Sequence, residues 1–141
     1  MAGSKVSRKA ANYAVELAKR TGASLTLLGV SDNRFIVSQA VTATASPTHL
    51  KEAVKDYLKQ SVQASLDEIE KICNRKRIRC KAVMRSGHPD EEIVKEATRS
   101  RASLIVMGSL GKSALGAAVL GSVAYSVFHR NSNIPVLIVK R

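Results

Sequence analysis

Four residues in the last third of the chain have the types and spacing for phosphate chemistry. Gly108 is followed after two residues by Gly111, and after nine more by Gly121 and Ser122. Glycines let backbone N–H groups turn inward and let a phosphate come close. A helix opening at 121–122 adds unpaired N–H groups and a positive partial charge. Ser122 can both cap such a helix and donate its hydroxyl to a phosphate oxygen. Two better-known glycine motifs are excluded by particular residues. The Walker A pattern would pair Gly111-Lys112-Ser113 with a glycine at position 106, which is Val106; the dinucleotide fingerprint fails because Leu110 stands where its second glycine belongs. On spacing alone, a loop whose glycines serve only packing and turns fits equally well.

Catalysis would need a base or a metal site with supporting groups. The polar residues near the ends of predicted strands are Asp32, His88 and Lys112. His88, between Gly87 and Pro89, reads as an exposed turn histidine. Lys112 suits phosphate neutralisation and an ordinary surface lysine equally. Asp32 suits a metal ion or, more simply, a loop cap. His49 and His129 stand alone near helix ends, and no set of residues has the pattern of a nucleophilic triad. The expectation is ligand binding with at most slow hydrolysis.

The elements that must position these residues follow from periodicity. Residues 5–20 place Val6, Ala10, Ala14, Leu17 and Ala18 on one helical face, with Ser4 to cap its start and Gly22 to end it. Leu25 to Val30 is an almost continuous apolar run, suited to a strand covered on both faces. Residues 31–48 read as a long linker with a weakly strand-like middle, Phe35 to Thr44. A second helix carries Leu50, Val54, Tyr57, Leu58, Val62, Leu66, Ile69, Ile72 and Cys73 on its apolar face. A strand over Ile78 to Met84, a helix over Asp90 to Arg99 and a buried strand over Ser103 to Met107 come next. A fourth helix from Gly121 to His129 and a last strand, Val136 to Val139, complete the chain. Helices alternating with short apolar strands predict an α/β domain, an open and mostly parallel sheet with helices on both faces.

Bulk properties bound the rest. The length, 141 residues, is that of one domain. Cys73 and Cys80 are too few for a disulfide scaffold and lack metal-ligand spacing, and they read as two buried thiols. No run approaches a membrane span, and no signal peptide opens the chain, so the cytoplasm is the default location. Twenty-three Lys and Arg against eleven Asp and Glu give a net charge of +12, which draws nucleotides, nucleic acid or other anions without choosing among them. The densest basic cluster, Arg75, Lys76, Arg77, Arg79, Lys81 and Arg85, fits a helix end where the dipole favours cations. With only three Tyr and two Phe, scattered, the chain lacks stacking platforms for nucleic acid.

The segment from Val106-Met107-Gly108 to Pro135-Val136-Leu137-Ile138-Val139 resembles the C-terminal signature of universal stress proteins. Nucleotide-binding members of that family carry G-x2-G-x9-G-[ST], and Gly108, Gly111, Gly121 and Ser122 match it at every position. The resemblance extends to Gly3-Ser4 with the first helix, to Leu25–Val30 and to Gly87-x-Pro89; residues 33–48 fall outside it. It implies a Rossmann-like, adenine nucleotide alpha hydrolase-like fold. It implies ATP, with or without Mg or Mn, as ligand. Gly108, Gly111, Gly121 and Ser122 would hold ribose and phosphates, with Met107, Ser109, Lys112 and Val123 alongside, and Val30 would lie against adenine. The implied role is a nucleotide-dependent sensor or interaction module of the stress response. A weak ATPase and a basic nucleic-acid- or anion-binding protein are the alternatives.

The front of the chain departs from the family, whose members begin with a central strand ending in Asp. Ala2 stands where that Asp would be, so the expectation is a single domain over 1–141 lacking its first strand. Either the chain is a fragment, or Phe35 to Thr44 or a partner chain fills the place. Val136 to Val139 would lie at a sheet edge, where unpaired N–H and C=O groups invite another strand. The family's edge pairs with its two-fold mate, so a homodimer through this strand is expected.

Overall fold

The structure, a computed structural model, describes residues 5–32, 48–109, 120–131 and 133–141. The elements are α1 (Lys5–Thr21), β1 (Leu25–Asp32), α2 (Thr48–Arg75), β2 (Cys80–Gly87), α3 (Pro89–Arg99), β3 (Ile105–Gly108), α4 (Ser122–Arg130) and β4 (Val136–Val139). The α/β alternation matches the sequence expectation. Ser4, the expected α1 cap, and the segment Phe35 to Thr44 lie outside the described residues.

Alanines decide how α1 packs. Ala10, Ala14 and Ala18 are buried with Val6 and Val15, and their short side chains let the helix lie close to its neighbours while keeping high helix propensity. Gly22 ends it as expected: its φ is +75°, and its amide donates to the Ala18 carbonyl at 2.8 Å. Val62, Leu66, Ile69 and Cys73 form the buried stripe of α2. Gly29 of β1 lies beneath that stripe so closely that a Cβ there would fall 2.3 Å from Val62 Cγ1.

Two helices stop without glycine. Beyond α2, Ile78 N donates to Cys73 O and Arg77 N to Asn74 O; beyond α3, Ala102 N donates to Ala97 O and Arg101 N to Thr98 O. Both are Schellman endings, with Arg77 (φ 57°) and Arg101 (φ 54°) in the left-handed position usually given to glycine.

β1 pairs in parallel with β2, in register from Leu25 opposite Cys80 to Asp32 opposite Gly87. β3 pairs in parallel with β4, from Ile105 opposite Val136 to Gly108 opposite Val139. β2 therefore begins and ends later than its apolar run suggests, because β1 keeps offering ladder partners as far as Asp32. Ile78 is buried in the turn ahead of it. The expected single sheet is found, among the described residues, as two separate parallel pairs. Each has its own core. One gathers Val15, Ala18, Ile69, Cys73 and Ile78; the other gathers Ala97, Ile105, Met107, Ala124 and Val127. Between β1 and β3 lies a cavity of about 740 Å³, walled by both strands and floored by α1.

Charged pairs tie the helices together. Buried Glu96 of α3 accepts from Arg85 at 3.3 Å and from Arg99 at 3.2 Å. Arg130, at the end of α4, meets Asp90 at 2.8 Å and Glu91 at 3.9 Å, both in the first turn of α3. Among the described residues no helix is long and apolar enough to cross a membrane.

Candidate functional site

Gly108 ends β3, and its lack of a side chain has a packing cause. A Cβ there would stand 2.7 Å from Val6 Cγ1 and 3.2 Å from the Val6 backbone carbonyl carbon. Val6 is the second residue of α1, so the start of α1 is set directly on the carboxyl end of β3. Ser109 follows, buried, and its amide donates to Val139 O at 2.9 Å. Its carbonyl accepts the Gly121 amide at 2.6 Å. That bond sets the start of α4 beside the same point. The first turns of two helices thus converge on Gly108-Ser109, and each brings N–H groups with no intrahelical partner and a positive partial charge.

The start of α4 differs from expectation in one respect. Ser122 does not cap the helix. Gly121 is the N-cap, at φ −70° and ψ 162°, with no side-chain bond to the first turn. Ser122 is the first helical residue, and it is exposed. Because the Gly121 amide is spent on Ser109, the donors left for a ligand are the amides of Ser122 and Val123 and the Ser122 hydroxyl. Gly111 and Lys112 lie outside the described residues.

The remaining expected residues divide. Met107 points into the core beside Ala124 and Val127, so it supports the site from beneath. Val30 lies on β1 opposite Arg85. It belongs to the other strand pair, and no bond among the described residues joins it to Gly108 or Ser122. Next to it is a residue that the sequence reading did not single out. Ser31 is 1% exposed and its hydroxyl has no hydrogen-bond partner among the described residues. A serine at the end of an apolar strand carries no signal in sequence; only its burial reveals it. His88, considered for catalysis, is exposed at the N-cap of α3. The basic cluster is partly neutralised, since Lys76 bonds Glu16 and Arg85 bonds Glu96.

The sequence profile of the universal stress protein family matches residues 1–140. The chain is 36% identical over 139 residues to universal stress protein MJ0531 of Methanocaldococcus jannaschii, covering 99% of this chain and 78% of that protein. It belongs to the universal stress protein family. A solved structure of the hypothetical protein MJ0577 superposes on this universal stress protein with a TM-score of 0.80 at 30% identity, covering 98% of this chain and 90% of that one. Two more distant structures of the family carry nucleotides. One is a universal stress protein in complex with cAMP (TM-score 0.64, 23% identity). The other is an Arabidopsis thaliana family member with AMP bound (TM-score 0.60, 18% identity).

Proposed function

We propose that this universal stress protein binds ATP at the carboxyl end of β3 and acts as a nucleotide-dependent sensor or interaction module. One observation carries the reading: the first turns of α1 and α4 meet at Gly108-Ser109, α1 through Val6 and α4 through the Gly121–Ser109 hydrogen bond. Two helix N-termini aimed at one point favour a phosphate group. The exposed Ser122 hydroxyl offers a further donor, and the net charge of +12 favours an anion. The cAMP and AMP complexes of other family members support an adenine nucleotide. The match of Gly108, Gly111, Gly121 and Ser122 to the G-x2-G-x9-G-[ST] pattern supports ATP in particular. In this reading Gly111 and Lys112 complete the phosphate cradle, and Val30 lies against adenine. A homodimer through the outer edge of β4 completes the proposal; light scattering across a concentration series checks it, and a chain that stays monomeric refutes it.

Gly121→Val tests the site. Its backbone angles suit valine, so the variant should melt as the wild type does while its side chain obstructs the phosphates. Calorimetric titration should show ATP binding lost by tenfold or more. Equal affinity in the two proteins sinks the assignment, and phosphate release followed in the same samples reports any hydrolysis.

A further inference from the structure

The cavity between β1 and β3 has walls of an unusual kind. β1 pairs with β2 on one edge only, and β3 pairs with β4 on one edge only. The other edges, over Leu25–Leu28 and Leu104–Gly108, face the cavity. Each edge presents a row of N–H and C=O groups without a ladder partner, and buried backbone groups of this kind are rarely left unpaired. A small apolar molecule can fill volume, but it cannot supply alternating donors and acceptors to two edges at once. An extended peptide can, since it carries both groups on each side at the spacing a sheet requires.

The side chains lining the cavity point to the same occupant. Ala10, Ala14 and Ala18 of α1 flank it, with Ile69 of α2 and Ile93 and Ala97 of α3. Apolar residues from three helices suit a strand that is apolar on both of its faces. The small alanines leave room for the occupant's side chains to be β-branched. A cavity of about 740 Å³ is within the roughly 300–1,000 Å³ of ligand pockets. Its length matches four to five residues, because four residues of each strand wall it.

We propose that the cavity between β1 and β3 is an acceptor slot for one extended, apolar, β-branched peptide segment of a separate polypeptide. The segment hydrogen-bonds to both edges and joins the two strand pairs into one sheet. This is strand addition at an interior position rather than at an outer edge. Because each face of the inserted strand meets one or more helices, binding buries side chains of both parities, and the segment reads as a continuous apolar run rather than an alternating one.

The test uses the chain as it stands and a synthetic peptide, five alternating Val and Ile residues followed by two Glu for solubility, acetylated and amidated. A control peptide carries Pro at its centre, which removes a donor and breaks the strand. At saturating peptide the melting temperature should rise by several degrees. Amide exchange should slow at least tenfold over both Thr26–Leu28 and Val106–Met107, and the Pro peptide should do neither. Unchanged exchange at either edge overturns the proposal. Equal protection by both peptides overturns it too, by showing a generic apolar pocket. Concentration-dependent protection of both edges without peptide overturns it in favour of a second copy as occupant.

Discussion

The Gly121 amide donates to the Ser109 carbonyl at 2.6 Å, and so the chain returns to within one hydrogen bond of the point where it left β3. The loop between them is closed at its base without help from a ligand. A consequence is that Gly121 contributes its lack of a side chain to the site, while its N–H is already engaged.

Hydrogen exchange separates those roles. In the free protein the Gly121 amide should exchange more slowly than those of Ser122 and Val123, which have no intrahelical partner. Added ATP should slow Ser122 and Val123 and leave Gly121 as it was. A slowing confined to Gly121 would place the phosphates elsewhere.

The contact of Gly29 with Val62 predicts a coupled pair. Gly29→Ala puts a methyl 2.3 Å from Val62 Cγ1, an overpacking that costs about 1–3 kcal/mol. In the double variant Gly29→Ala, Val62→Ala part of that loss should return, with a coupling energy above roughly 0.5 kcal/mol in denaturant titrations. Additive losses would mean that α2 simply shifts away.

Arg101 holds a left-handed conformation in which a Cβ is unfavourable. Arg101→Gly relieves that strain but loosens the unfolded chain, so a net gain of roughly 0.5–1 kcal/mol is expected. A rise in melting temperature checks it, and Arg101→Ala should give no comparable rise.

Burial pushes the Cys80 thiol from 9.0 up to about 12, with the adjoining Cys73 thiol and the charge of Glu70 acting in the same direction. Between those values the unfolded chain releases the Cys80 proton while the folded chain keeps it. The contribution to stability is therefore complete below pH 9 and is lost as the pH rises toward 12. Melting curves from pH 8 to 11 should fall more steeply for the wild type than for Cys80→Ala.

Much of the fold was legible because periodicity and capping are local. The α1 stripe, the β1 run and Gly22 all follow from neighbours in sequence. The helix ends at Arg77 and Arg101 were not legible, since arginine is not a C-cap signal and the Schellman bonds alone reveal them. The glycine spacing pointed to phosphate chemistry and placed Gly108, Gly121 and Ser122 correctly on β3 and α4. It could not show that Gly108 accommodates Val6, a contact across about a hundred positions of chain. Nor could it show that Gly121 rather than Ser122 caps α4. Both residues suit an N-cap, and the choice is made by where Ser109 offers its carbonyl. The separation of the strand pairs was expected from the family's first strand, although apolar patterning alone predicts one sheet.

The pairing of Arg130 with Asp90 gives α4 a mechanical character. Its nine residues make a rod about 13 Å long. One end stands at the glycine loop, and the other is clamped to the first turn of α3. A rod fixed at its far end cannot tilt at the near end without pulling on what holds it. Any displacement of Ser122 is thus passed by leverage to Asp90, next to Pro89 and the end of β2.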